Sequence, residues 1–374
     1  MGRLDEHRAR LAAEMDRRGD WPSQSPWVRE AVEALPRDRF APDRLWRWTG
    51  HTWAPVDRAS DPEGWALELY GSQDEAAITQ VVDGLPASSL SCQAVVVDML
   101  DSLLLEPGHR VVEAGTGSGW NAALLARRAG PGRVTSVEVD EELAGGARLR
   151  LAAAGADVKT VVGDAATVRP DTPVDRFIAT YAVDRVPWGW VEQTKPGGRI
   201  VTPWGRLGHV ALTVAADHRS ATGWMQGLAK FMPARADLHH SLTFRELHAS
   251  VELESEGKTG RDLDPLHTNA HLLFHLRVAL PDVVFTTAPD EDGVSAWIHD
   301  GSTSWASLSA IGGRQSAVHQ GGPRRLADEI EKAWHGWEQL GCPDLYDYGL
   351  TVRLDGEQFT WCRDPGTGPR WPQN

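Results

Sequence analysis

Residues 111–119 read Val-Val-Glu-Ala-Gly-Thr-Gly-Ser-Gly, and residues 134–140 read Val-Thr-Ser-Val-Glu-Val-Asp. The first run is a short apolar strand that breaks into a glycine turn, with the helical stretch 120–128 behind it. The second is another strand, closed by a carboxylate about 20 residues downstream, the spacing of a βαβ nucleoside site. The glycine run is Glu113-x-Gly115-x-Gly117-x-Gly119. That is tighter than the spacing that seats a pyrophosphate on a helix N-terminus, and an acidic side chain opens it. A carboxylate beside the cofactor suits a cation, so the run favours S-adenosylmethionine, a sulfonium with an ammonium tail.

Working outward, the pattern predicts helices over 5–18 and 26–35, with Ser25-Pro26 as N-cap and first helical residue. Residues 36–87 read as a turn-rich, irregular, lid-like segment. An amphipathic helix is expected over 93–105, with Val96, Met99, Leu100 and Leu103 on one face. Strands at 109–114, 133–138, 158–162, 175–181 and 199–202 then alternate with helices at 119–129, 140–154 and 187–194. Such alternation with short loops predicts an α/β fold with a parallel-rich, doubly wound sheet. Beyond residue 205 short strands are expected at 209–215, 294–299, 304–310, 349–354 and 358–362, with one clear helix at 324–340. The polar stretch 252–264 reads as a loop. The expected organisation is therefore 1–87 as helices and lid, 88–215 as the cofactor-binding core, and 216–374 as a smaller α+β C-terminal domain for substrate.

Composition narrows the function classes. The 374 residues are 41% apolar and 24% charged, with a formal charge of −14. No basic stripe is present to neutralise phosphates, so no nucleic-acid partner is expected. No apolar run approaches the ~18 residues of a membrane span, and the expectation is a cytoplasmic protein with no membrane partner. The three cysteines lack a C-x-x-C pair, which argues against a disulfide scaffold or structural zinc. His267-x-x-x-His271-x-x-x-His275 has helical spacing but no glutamate in the metalloprotease arrangement, and neither it nor His239-His240 is taken as a metal site. Seventeen tryptophans are unusual. Trp46, Trp48, Trp53 and Trp65 crowd the segment before the glycine turn, as Trp188, Trp190 and Trp204 follow it. Most are expected in the core. Those near a cleft are candidates for a peptide-binding groove, because rigid aromatics give contact area at low entropic cost.

Several stretches together carry a family resemblance. They are Val28-Arg-Glu-Ala-Val-Glu-Ala-Leu-Pro-Arg-Asp-Arg-Phe-Ala-Pro42, Ser88-Ser89-Leu90-Ser91, the run 113–119, Glu138, Gly163-Asp164 and Lys195-Pro-Gly-Gly198. This set resembles the protein-L-isoaspartate O-methyltransferases over roughly residues 25–205. The resemblance implies a Rossmann-like class I methyltransferase fold and an S-adenosylmethionine-dependent carboxyl O-methyltransferase. The chain departs from that pattern at Cys92-Gln93-Ala94, where the family has Pro-His, and in the ~170 residues that follow. The extended form looks like actinobacterial relatives associated with ribosomally made peptides (lanthipeptides, lasso peptides, graspetides). It implies methylation of an aspartate in a constrained precursor peptide, leading to aspartimide or isoaspartate. The alternatives are repair of isoaspartyl damage in proteins and a non-catalytic cofactor-binding peptide scaffold. The glycine spacing argues against a nicotinamide oxidoreductase. A monomer or homodimer is expected.

Methyl transfer to a carboxylate needs no strong base, because the acceptor is already ionised at pH 7. The task is proximity and orientation. The candidate catalytic groups are therefore hydrogen-bond donors: Ser89, Ser91 and the segment opening at Thr180, whose backbone N–H groups to Val183 are expected to aim the carboxylate. The resemblance implies that Ser91 is the substrate-facing serine. The candidate cofactor set is Glu113, Gly115, Thr116, Gly117, Gly119, Glu138, Val139, Asp164 and Ala165. Glu113 is expected near the glycine loop and the methionine moiety, through its side chain or through organised water, Glu138 on the ribose hydroxyls, and Asp164 with the Ala165 N–H on the adenine.

Overall fold

The computed structural model describes residues 3–205, 207–234, 242–312 and 315–373. The N-terminal part contains α1 (Arg3–Arg18), α2 (Trp27–Ala34), β1 (Arg44–Trp48), β2 (Trp53–Asp57), α3 (Pro62–Tyr70), β3 (Ala77–Val82) and β4 (Leu85–Leu90). The stretch read as an irregular lid is thus an antiparallel sheet of order β2-β1-β3-β4, crossed by one helix. Its strands were hidden because only one face is buried. Leu45, Val56, Ala77 and Leu90 are buried there, while the opposite face carries tryptophans that blur the alternation. Ser25 helps to start α2 with its carbonyl, which accepts from the Val28 N–H at 3.0 Å, and its hydroxyl caps nothing.

The central part runs α4 (Gln93–Ser102), β5 (Val111–Ala114), α5 (Trp120–Ala129), β6 (Val134–Glu138), α6 (Glu141–Ala154), β7 (Val158–Val162), β8 (Val174–Ala179), α7 (Trp188–Gln193) and β9 (Thr194–Trp204). These strands pair in parallel in the order β7-β6-β5-β8-β9. All four β5 residues are buried, as expected of a central parallel strand covered on both faces. Asp140 caps α6 by accepting from the Glu142 and Leu143 N–H groups. Between β5 and β8 the strand order reverses, and that switch point opens a crevice at the carboxyl ends of the strands.

The C-terminal part follows with β10 (Gly208–Val214), β11 (Ser220–Leu228), α8 (Phe244–Ser250), β12 (Leu253–Thr259), α9 (Asp264–Thr268), α10 (Ala270–Ala279), β13 (Val284–Asp290), β14 (Gly293–His299), β15 (Trp305–Ala310), β16 (Ser316–Gly321), α11 (Leu326–Gln339), β17 (Tyr348–Arg353), β18 (Gln358–Cys362) and β19 (Arg370–Pro372). It divides between two sheets. Strands β10, β11, β17, β18 and β19 pair antiparallel onto β9, making one ten-stranded mixed sheet. Strands β12–β16 form a separate antiparallel sheet packed against α9, α10 and α11 around Leu272, Leu276, Ile330 and Trp334. Residues 215 and 216 lie between β10 and β11, two strands that pair along their length. The stretch 253–259, read as a loop from its charges, is an edge strand, where both side-chain faces tolerate polar residues. Among the described residues no helix is long and apolar enough to cross a membrane.

Candidate active site

Four strand ends meet at the switch point. The turn after β5 supplies Gly115–Gly119, β6 ends in Glu138, the loop after β7 supplies Gly163–Ala165, and Thr180-Tyr181 follow β8. They line a cavity of about 200 Å³, closed on the far side by Ala87–Ser89 of β4 and by Met232–Ala234. A smaller cavity of about 50 Å³ adjoins it, lined by Ser89, Ser91, Thr116, Asn121, Thr180 and Phe231 among others. The two share Ser89, Gly115, Gly117 and Thr180. The larger space suits a nucleoside cofactor and the smaller one a compact acidic group presented to its reactive end.

Glycine at 115 is a geometric requirement. Its φ is +90°, and a Cβ there would stand 2.5 Å from the Thr180 Oγ1. Gly119 serves a different purpose from the cofactor role expected for it. It opens α5 at φ +92°, and a Cβ would press on Leu151 of α6 at 3.2 Å, so it lets two helices pack and lines neither cavity.

Glu138 is buried yet lines the larger cavity. Its Oε2 accepts from the Gly117 N–H at 2.8 Å and its Oε1 from the Asp140 N–H at 3.2 Å. A carboxylate has about four acceptor positions, so two remain for a vicinal diol. Val139, Asp164 and Ala165 line the same cavity. Asp164 Oδ1 accepts from the Ala166 N–H at 2.8 Å, which fixes the side chain. The chemistry of this donor and acceptor set fits S-adenosylmethionine.

Glu113 lies at the glycine turn, as expected, but does not reach the cavity. It is fully buried below the glycine turn and lines neither cavity. Its carboxyl accepts from Asn121 Nδ2 at 2.8 Å and from the Ser136 hydroxyl, which in turn lies 2.6 Å from the Thr116 hydroxyl. Burial pushes its pKa up to about 7, and the nearby Glu138 adds to that, while the bonds from Ser136 and Asn121 oppose it. The glutamate therefore braces the turn from below, and Thr116 joins that brace.

The acceptor side rests on β4. Its end and the following residues bring Ser89 and Ser91 to the smaller cavity, and neither hydroxyl bonds to a described residue. Both are placed to donate. Thr180 is not: its hydroxyl donates to the Gly115 carbonyl at 2.6 Å. Three of the four backbone N–H groups expected to aim a carboxylate are also engaged. Those of Thr180, Ala182 and Val183 donate to Ala114, Met232 and Pro203 carbonyls. Thr180 therefore shapes the cavity without offering a proton donor to it.

Two features of the site were missed in the sequence. Arg37, in Pro36-Arg37-x-x-Phe40-x-Pro42, is completely buried with no carboxylate beside it. Its guanidinium donates to the carbonyls of Leu69 at 2.5 Å, Leu90 at 3.2 Å and Ser91 at 2.8 Å. It stands 5.4 Å over the Trp120 ring, and burial lowers its pKa to about 10. Arg37 thus ties the serine segment to the core. The second feature is the strap 229–234, which hydrogen-bonds to Ala182 in both directions and adds Phe231 and Met232 to the cavity walls. Apart from Pro233 after two apolar residues, nothing local marks it.

The histidine series does not converge. His267 meets Thr287, His271 accepts from the Leu345 N–H, and His275 lies 2.7 Å from the Tyr348 hydroxyl. Asn269 breaks the helix between the first and second by capping α10. Residues 239–240 lie outside the described residues. Trp65, Trp190 and Trp204 are core residues.

The family model described as protein-L-isoaspartate(D-aspartate) O-methyltransferase matches residues 66–232. A protein-L-isoaspartate O-methyltransferase of Methanopyrus kandleri is 43% identical over 182 residues, spanning 48% of this chain and 69% of that relative. Protein-L-isoaspartate O-methyltransferase 1 of Archaeoglobus fulgidus is 32% identical over 233 residues, spanning 62% of this chain and 94% of that relative. A solved structure titled protein-L-isoaspartate O-methyltransferase superposes with a TM-score of 0.54 at 20% identity, covering 96% of this chain and all of the other. The glycine turn, the acidic end of β6 and the serine segment thus belong to an S-adenosylmethionine-dependent carboxyl O-methyltransferase, and the chain is a member of the protein-L-isoaspartate O-methyltransferase family.

Proposed function

We propose that this protein methylates the free carboxylate of L-isoaspartyl residues in polypeptides. The observation that carries the reading is the pair of adjoining cavities with the unengaged Ser89 and Ser91 hydroxyls on the wall of the smaller one. Bound S-adenosylmethionine supplies a methyl group on a sulfonium, whose C–S bond breaks as the ester C–O bond forms, its electron pair passing to sulfur. No proton moves. The Glu138 carboxylate holds the ribose, Asp164 and Ala165 hold the adenine, and the turn at Gly115–Gly117 lets the backbone approach closely. The Ser91 and Ser89 hydroxyls donate to one carboxylate oxygen and leave the other aimed at the methyl carbon. Hydroxyl donors orient an anion with less loss of nucleophilicity than a cation would impose. The braced turn and the strap 229–234 limit the positions the acceptor can take, and restricted geometry of this kind contributes up to ~7–11 kcal/mol in favourable systems.

The narrower expectation of a dedicated precursor-peptide enzyme rested on the C-terminal extension. A solved structure titled protein-L-isoaspartate O-methyltransferase shares the fold over nearly all of this chain, so the extension by itself does not argue for a specialised substrate. General isoaspartyl methylation is the better supported reading. The test is transfer of labelled methyl from S-adenosylmethionine to paired synthetic peptides that differ only in an isoaspartyl or aspartyl residue. The expected result is a base-labile methyl ester on the isoaspartyl peptide alone. Turnover of a cyclised precursor peptide with none of the isoaspartyl peptide would overturn it.

A further inference from the structure

The N-terminal sheet has a second face. On β1 and β2, Trp48 pairs across the strands with Trp53, and Trp46 with Pro55. Trp46 also pairs with Ile78 of β3, and Ile78 with Ser89 of β4. Residues directly opposite in an antiparallel ladder share a face. Pro55, Trp46, Ile78 and Ser89 therefore form one row across four strands, and its last member is the serine common to both cavities. Trp48 and Trp53 form the adjoining row, with ring centroids 5.3 Å apart. None of the three tryptophans is buried, and Trp48 is 51% exposed.

A partly exposed aromatic face leading to a reaction centre needs a reason, because tryptophan surface left in solvent costs solubility and adds nothing to a core. The charges on this face next to the tryptophans are paired with each other, Arg44 with Asp57 at 2.8 Å. The face thus offers apolar contact without a charge to match. Strands lie about 4.8 Å apart, which puts Trp46 roughly 10 Å from Ser89, and an extended chain advances about 3.3 Å per residue. A side chain three to five residues from the acceptor reaches this surface.

We propose that the Trp46–Trp48–Trp53 face is the docking surface for the substrate polypeptide, taking an apolar side chain three to five residues from the acceptor on an extended segment. The inference rests on the carboxyl methyltransferase reading for its acceptor and on the strand register for its place. It makes this face a specificity determinant that favours apolar sequence around the methylated residue.

The test uses the full chain loaded with S-adenosylhomocysteine and two fluorescein-labelled twelve-residue peptides. Both carry one central isoaspartyl residue in a glycine–serine background, and one also has phenylalanine four residues away on each side. Anisotropy is expected to show at least tenfold tighter binding of the phenylalanine peptide. In Trp48→Ala and in Trp48→Ala/Trp53→Ala that preference falls to within twofold, while the affinities for the plain peptide and the cofactor stay unchanged. Trp48→Phe restores most of it. No preference in the parent protein, or one that survives in the double variant, overturns the proposal. Methyl transfer is measured in parallel: intact preference without turnover counts against the isoaspartyl acceptor and leaves the docking face standing.

Discussion

The two walls of the crevice are built in opposite ways. The cofactor wall comes from successive strand ends in the parallel half of the central sheet, within residues 115–181, and its groups are held by partners within the same supersecondary unit. Glu138 is tied to Gly117 and Asp140, and Asp164 to Ala166. The acceptor wall is assembled from a different sheet, a strap after β11 and a buried arginine more than fifty positions before the serine it holds. On the proposed function, cofactor recognition is thus a local property of a βαβ unit, whereas acceptor recognition depends on long-range packing. A lesion in the first should cost affinity, and a lesion in the second should cost order or turnover.

Arg37 is where that contrast should be sharpest. Arg37→Met removes three hydrogen bonds from a charged donor and leaves buried carbonyls unpaired, a loss of about 4 kcal/mol on the scale of such deletions. Urea unfolding should show it, and Arg37→Lys should recover only part. A loss under 1 kcal/mol would mean that the serine segment holds itself.

Glu113 tests the brace beneath the cofactor turn. Its folded-state pKa is raised to about 7, so between the unfolded value near 4.5 and that point the folded protein binds more protons than the unfolded chain. This group's contribution to stability therefore falls as pH rises from about 4.5 to 7. Glu113→Gln removes the titration, and the variant should gain on the parent across that window by up to about 3 kcal/mol. Thermal unfolding from pH 5 to 8 measures the difference, which also cancels the contributions of Asp98, raised to about 6, and His209, lowered to about 4. Parallel pH profiles would rule out the brace as a titrating group.

Smaller effects separate the two walls by their kinetics. Glu138→Ala should weaken cofactor binding by about 2 kcal/mol, the range for lost charge-assisted hydrogen bonds, as read by calorimetry. Ser91→Ala should lower kcat about tenfold, or ~1.4 kcal/mol of barrier, with cofactor affinity unaltered. Thr180→Val is the control: with its hydroxyl engaged by Gly115, it should lower kcat less than Ser91→Ala does. The reverse order would return Thr180 to the catalytic set.

How much of this was legible in the chain follows the same division. The glycine run, the two strands and Glu138 were readable because each depends on neighbours within one supersecondary unit. The N-terminal sheet was not: its strands are five or six residues long, and tryptophans on its outer face occupy positions where polar residues would have shown the alternation. Glu113 and Gly119 were identified as special, but the cofactor contact expected of them is a brace in one case and a helix-packing device in the other. A buried acid and a lining acid look alike in sequence, since burial is decided by what folds over them.

The sequence by itself determined the cofactor class and the parallel half of the sheet, because short-range geometry and residue chemistry suffice for these. Tertiary structure alone decided which donors stay unengaged, that Arg37 holds the serine segment, and that β10, β11 and β17–β19 extend the central sheet. Those outcomes turn on contacts between residues tens to more than a hundred positions apart. Such contacts compete for the same hydrogen-bonding groups, and only the folded packing shows which of them prevails.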